Sequence, residues 1–447
     1  GSGGAGSGGA VAGAPGIGDP YFPQDGNGGI NVVQYDVHDA YRFSDARVRG
    51  WTTVTLRTTE RLSSFDLDFL LPVSAVHLST GAATFSRPTA HELRITPRRA
   101  IPSGTTVRAR VSYAGHPRRV SWDGERNWTA DAHEVAAINE PHMAPWWFPS
   151  DDHPLDKARM NLRLTVPRTD QVVAGGHLVG VRRSGHHATY HWCAGRMATY
   201  LAFFAAGRFV VRHGTSHGLR YYSAVSKRLS RTRRRSALRG VMRAPTIVSW
   251  LRRQVGRYPF GETGGVVISL NPGFSLETQT RPTYPMGVSD LLMVHELAHQ
   301  WFGDSVSVHH WRDVWMNEGF ATFMEHLWAQ DHGGPSTRTW LHQVYGSTPA
   351  HSSFWQLTVA DPGPAHLFDW PVYQRGAMAL AALRERIGHP VFARLLRAWT
   401  ARHRHGHGTT GGFEALASRI SGQDLTAFFD AWVRQATRPR DTSRNGL

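Results

Sequence analysis

Residues 295–328 read HELAHQWFGDSVSVHHWRDVWMNEGFATFMEHLW, and the spacing of this stretch predicts how the second half of the chain is built. Within it, His295-Glu296-Leu297-Ala298-His299 places two imidazoles at i and i+4 on one helix face, where both can reach a single ion. Ser289 is a suitable N-cap, and Leu292, Leu297, Ala298 and Trp301 give the helix apolar flanks. Taken alone, this pentapeptide in a chain with 26 histidines also fits a polar helix face. Glu318 separates the two readings. It follows His299 after 18 intervening residues, within Asn317-Glu318-Gly319 on the next predicted helix. A carboxylate on a helix packed against the first is what a third ligand requires. Two imidazoles and a carboxylate suit one Zn2+ per chain and leave a fourth position for water. His295, His299 and Glu318 are the expected metal ligands, and Glu296 is placed to take a proton from that water.

Outward from this centre the period of the apolar residues changes. From about residue 30 to residue 210 the alternation is strand-like. Phe65, Leu67 and Phe69 alternate with Asp66 and Asp68, and Val107, Ala109, Val111 and Tyr113 follow the same rule, as do Met160, Leu162, Leu164 and Val166. A period of two marks half-buried strands, so an antiparallel β domain is expected over 17–209. From residue 236 the spacing becomes helical. Helices are expected over 236–255, 289–302, 313–330, 375–387 and 410–434, with Ser289, Asp313 and Thr410 as caps and a short strand near 266–270. The second domain, 210–447, should be mainly α.

Composition limits the alternatives. The 447 residues suffice for two or three domains, and no run approaches the ~18 apolar residues of a membrane span. The formal charge is +16, carried almost wholly by arginine, since Lys157 and Lys227 are the only lysines. The densest cluster, Arg231, Arg233, Arg234, Arg235, Arg239 and Arg243, lacks interleaved aromatics and reads as a solvated helix face, not a nucleic-acid site. Cys193 stands alone and excludes an intramolecular disulfide. Residues 1–16 are Gly-rich and are expected to form a flexible tail. They hold no apolar signal-peptide core, and since the sequence starts at Gly1 a processed or trimmed extracellular form is expected, with a cytoplasmic protein as the alternative. His309 and His310, and His403, His405 and His407, are read as solvated loop residues. No feature of the sequence sets an oligomeric state.

With these residues placed, the run 295–328 resembles the core of the aminopeptidase N family of gluzincin zinc metallopeptidases. Further segments match in order: EPHMAPWWFPSDDHPLDKA at 140–158, GRYPFGETGGVVI at 256–268, SLETQTRPTY at 275–284 and VYQRGAMAL at 372–380. The resemblance covers residues 17–436. It implies an α+β architecture, a saddle-like N-terminal β domain followed by a thermolysin-like catalytic domain, without the family's further C-terminal domains. It also implies that Glu277 holds the free α-amine of a peptide substrate, with Glu140 as a second carboxylate, and that Tyr373 hydrogen-bonds the developing oxyanion. Alone, Glu277 and Glu140 would read as surface acids or ion-pair partners, and Tyr373 as a core tyrosine. The family's Gly-x-Met-Glu-Asn motif is only partly kept. Phe274, Leu276 and Thr278 stand at the Gly, Met and Asn positions, while Glu277 survives. The expected activity is removal of N-terminal residues from peptides. An endopeptidase or small-substrate amidase, and a catalytically silent scaffold, are the competing readings.

Overall fold

The computed structural model describes residues 8–447, which form two compact units. The first runs to Val210 and also takes in Ser226–Arg228 and Ile268–Phe274. The second comprises Val211–Val225, Leu229–Val267 and Ser275–Leu447. The first unit is mainly β and the second mainly helical.

The frame of the first unit is a seven-stranded sheet in the order His177–Ser184, His187–Met197, Ala158–Pro167, Ile30–Arg42, Arg47–Thr58, Thr106–Gly115, Val73–Leu78. Its neighbours are antiparallel except for one parallel pair, Ala158–Pro167 against Ile30–Arg42. Alternation works as expected here: Val107, Ala109, Val111 and Tyr113 are buried while Arg108 and Arg110 are exposed. A four-stranded sheet joins Val11–Ala12, Leu62–Asp68, Glu92–Pro97 and Ala83–Ser86.

Two expectations fail in that smaller sheet. Leu62–Asp68 is not half-buried, because Asp66 and Asp68 are as inaccessible as Phe65 and Leu67. Alternation reports which side chains share a face, not whether that face is covered. The Gly-rich start also departs from a flexible tail beyond residues 1–7, which lie outside the described residues. Val11–Ala12 pairs with Leu62–Ser64, and Gly28 donates its N–H to the Ala14 carbonyl. Small residues serve close packing here, since a Cβ on Gly13 would lie 2.7 Å from the Gly28 carbonyl oxygen.

Eight helices of the second unit matter below: α1 (Arg231–Val241), α2 (Ala244–Val255), α3 (Asp290–Ala298), α4 (Trp315–Asp331), α5 (Thr337–Ser347), α6 (Trp370–Ile387), α7 (His389–Arg402) and α8 (Thr410–Ser421). The single helix expected over 236–255 is two, divided at Met242 and Arg243, with Pro245 in the first turn of α2. Most of the arginine cluster lies exposed along α1, and Arg243 pairs with Asp290 at 2.9 Å. Asp313 is not the cap of α4. It ends a 3-10 turn, and its carboxylate accepts instead from the Thr410 backbone N–H and hydroxyl. Thr409, one residue before the expected cap, accepts from Gly412 N and begins α8. That helix stops at Ser421 because Gly422 turns left-handed. The segment holding His407 is not a free loop, since Gly406–Gly408 pairs in parallel with Val306–Val308. Among the described residues, no helix is long and apolar enough to cross a membrane.

Candidate metal centre

Ser289 accepts from Leu292 N at 3.2 Å and fixes the start of α3, and Asp290 in its first turn complements the helix dipole. From Met293 to Ala298 every residue is buried. His295, Glu296 and His299 therefore project from a helix threaded through the middle of the unit, not from a surface face.

Each imidazole is oriented from behind. His299 Nδ1 lies 3.0 Å from the Phe302 carbonyl, which can only accept, so this nitrogen carries the proton. His295 Nδ1 lies 2.8 Å from Glu325 Oε2 on α4. Both rings thus turn Nε2 inward. The two Nε2 atoms are 3.1 Å apart, and Glu318 Oε2 lies 3.2 Å from the first and 3.1 Å from the second. Three lone-pair atoms converging in a buried site repel unless positive charge lies among them. Tetrahedral zinc, with bonds of about 2.1 Å, would space its ligands about 3.4 Å apart, so this donor set fits such an ion. Burial opposes protonation of His295, but hydrogen bonds to Glu318 and Glu325 raise it to about 10. Burial likewise acts to raise Glu318, yet the charge and hydrogen bonds of His299 and His295 pull it down to about 2.

Close helix packing sets where these groups stand. A Cβ on Gly319 would come within 2.9 Å of Gly376 Cα, so α4 and α6 touch backbone to backbone beside Glu318. Tyr373 occupies the first turn of α6, which begins five residues before the expected start, and its ring stacks near His295 with centroids 6.0 Å apart. Two residues on, Arg375 is fully buried and donates to the carbonyls of Trp355, Ala431, Trp432 and Thr437, tying the C-terminal segment to α6.

Glu277 comes closer to the centre than amine recognition alone would suggest. Its Oε2 lies 3.6 Å from His299 Nε2, and Oε1 has no hydrogen-bond partner among the described residues. The hairpin carrying it is closed by reciprocal Leu276–Thr283 backbone bonds and held by Gln300, which accepts from Thr280 N at 2.8 Å. Thr278, at the position of the missing Asn, spends its hydroxyl inside this turn on the Arg281 carbonyl. Glu296 is 4% exposed, and its carboxylate lies within 4.8 Å of both histidines. The structure thus assembles His295, Glu296, His299, Glu318 and Glu277, with Tyr373 beside them. Glu140 belongs to the first unit, just ahead of the turn Ala144–Trp146.

A profile of the peptidase family M1 domain matches residues 276–432. The Lactococcus lactis aminopeptidase N is 34% identical over 162 residues, which are 33% of this chain and 19% of that protein. Rice aminopeptidase M1-A is 25% identical over 67% of this chain and 37% of its own length. The chain therefore spans only a fifth to two fifths of these relatives. The crystal structure of an M1 zinc metallopeptidase from Deinococcus radiodurans matches throughout, with a TM-score of 0.85, 26% identity, and coverage of 95% of this chain and 99% of that one. Residues 276–432 thus match the M1 peptidase domain, and the chain shares its two-domain fold with M1 zinc metallopeptidases. A mutant of the Deinococcus protein bound to a Tyr-Ser-Ala substrate aligns with a TM-score of 0.83 over 96% of this chain.

Glu325 was not found from sequence. Its signal is positional, since it lies two turns after Glu318 on the same face of α4. By holding the Nδ1 proton of His295 it keeps Nε2 available to a metal. We expect Glu325→Ala to weaken zinc affinity by roughly 10–100-fold, measured by competition with a chelator of known affinity. Unchanged affinity would show that α3 alone orients the ring.

Proposed function

We propose that the chain is a zinc-dependent aminopeptidase, hydrolysing the N-terminal peptide bond of peptides with a free α-amine. The observation that carries this reading is the convergence of His295 Nε2, His299 Nε2 and Glu318 Oε2 within 3.2 Å of one another, with the buried Glu277 carboxylate alongside. His295, His299 and Glu318 would hold the ion. Bound there, zinc supplies an acidified water and polarises the scissile carbonyl.

The protein's own groups do the rest. Glu296 takes the proton from the attacking water and returns it to the leaving nitrogen. Its burial against the two histidines keeps it from solvent competitors. Glu277, with Glu140 as the second carboxylate carried over from the family pattern, receives the substrate ammonium and thereby sets which bond faces Glu296. Tyr373 donates its hydroxyl proton to the oxygen that becomes negative only in the transition state. The names of the L. lactis and rice relatives, and the tripeptide held by the Deinococcus protein, support the same substrate class.

A panel of aminoacyl fluorogenic substrates, free and N-acetylated, tests the proposal. Free-amine substrates should be cleaved, and a strong chelator should abolish turnover until zinc is restored. Activity that survives full metal removal would refute it. Cleavage of internal bonds at equal rate would favour the endopeptidase instead.

A further inference from the structure

The covered face of Leu62–Asp68 poses a problem of charge. Asp68 and Glu92 stand directly opposite each other in the antiparallel ladder with Glu92–Pro97, and both are buried, at 0% and 2% exposure. Like charges in such a pair repel, and in a dry site strongly. The nearby cations make their hydrogen bonds elsewhere, and Arg94 and Arg87 reach Glu92 only through space. Arg94 is paired with Asp66 at 3.0 Å, and Arg87 donates to the carbonyls of Phe69, Leu71 and Ala90. His142 bridges Asp25 at 2.5 Å and Glu125 at 2.6 Å.

A third donor completes the group. His91 Nδ1 lies 3.1 Å from Glu92 Oε1 and 3.6 Å from Asp68 Oδ1, and its ring stacks on Trp122, which covers the site. All three donor atoms fall within 4.8 Å of one another. Asp68 Oδ2 is held by the backbone N–H groups of Gly26 and Asp152, which aims Oδ1 towards His91. Oδ1 has no hydrogen-bond partner among the described residues, and neither does Glu92 Oε2.

We propose that Asp68, His91 and Glu92 bind a second divalent transition-metal ion, separate from the centre at His295. One imidazole and two carboxylates are a donor set for zinc or manganese, and separations of 3.1 and 3.6 Å are those of ligands sharing an ion. Without such an ion burial pushes Glu92 up to about 9 and holds Asp68 well above the carboxylate range, so the pair would have to be kept protonated. Burial also pushes His91 down to about 3, leaving the neutral ring that a metal requires. The ion would join two neighbouring strands to the segments around Gly26 and Asp152, a structural role independent of the peptidase reading.

The purified protein, dialysed against zinc and separately against manganese, should carry two metal equivalents per chain by mass spectrometry of the dissolved sample. The near-isosteric double variant Asp68→Asn with Glu92→Gln should carry one and keep its kcat. His295→Ala with His299→Ala should also keep one. One equivalent in the wild type under both metals, or two retained by the Asp68–Glu92 variant, overturns the inference and leaves a shared proton as the neutralising partner. Should that variant not fold, the His295–His299 variant decides, because zero metal there refutes the second site. Failure of the peptidase reading looks different: the His295–His299 variant would then hold as much metal as the wild type.

Discussion

Glu296→Gln should purify with its zinc and yet turn over free-amine substrates slower by on the order of 10³. The replacement keeps the shape of the side chain and leaves His295, His299 and Glu318 untouched. It removes only the capacity to accept a proton. Glu296 is only 4% exposed, which leaves little room for another base, and its Oε1 has no hydrogen-bond partner among the described residues that could relay a proton. Steady-state kcat and metal content measured on one preparation decide the matter. A kcat within tenfold of wild type, with zinc in place, would assign the base to another group.

The second large effect concerns the substrate amine. Acetylation should lower kcat/KM by roughly 10²- to 10⁴-fold, because it deletes the cation that the buried Glu277 carboxylate is proposed to meet, at about 3–5 kcal/mol. Glu277 is 1% exposed with Oε1 unpaired among the described residues, so it has no solvent to fall back on when the ammonium is missing. Glu277→Ala should raise KM and lower kcat together, since the amine contact also sets the scissile bond against the attacking water. It should also narrow the gap between free and acetylated substrates. Equal cleavage of both substrate forms by the wild type would remove the aminopeptidase assignment and leave the hydrolytic centre standing.

What could be read before folding follows from how local each feature is. The helix bearing His295 and His299 was legible because cap, apolar flanks and ligand spacing lie within a dozen residues. The strand-like first half was legible because alternation repeats every two residues. Features that depend on what another segment does were not. Asp66 and Asp68 alternate as surface residues should, and only the chain that folds over them makes them interior. Glu325 looks like one more acid on a helix until α3 is laid beside α4. Asp313 has the composition of a cap, but the helix it serves begins 97 residues later, at Thr410. Arg375 would be assigned to solvent by residue type, and four distant carbonyls explain why it is not there.

The tether from Gln300 to the Glu277 hairpin has an implication for how this scaffold can be altered. On the proposed reading Glu318 and Tyr373 stand on helices α4 and α6, locked by the Gly319–Gly376 contact, whereas Glu277, the carboxylate proposed to receive the substrate's ammonium, rides on a short hairpin. Glu277 couples the two, but the rest of that hairpin is a separate part from the helices. A library over Ser275–Thr283 and Gln300 that keeps Glu277 could retune which termini are accepted while the hydrolytic parts stay in register. Changes to α4 or α6 would disturb reactivity for every substrate alike.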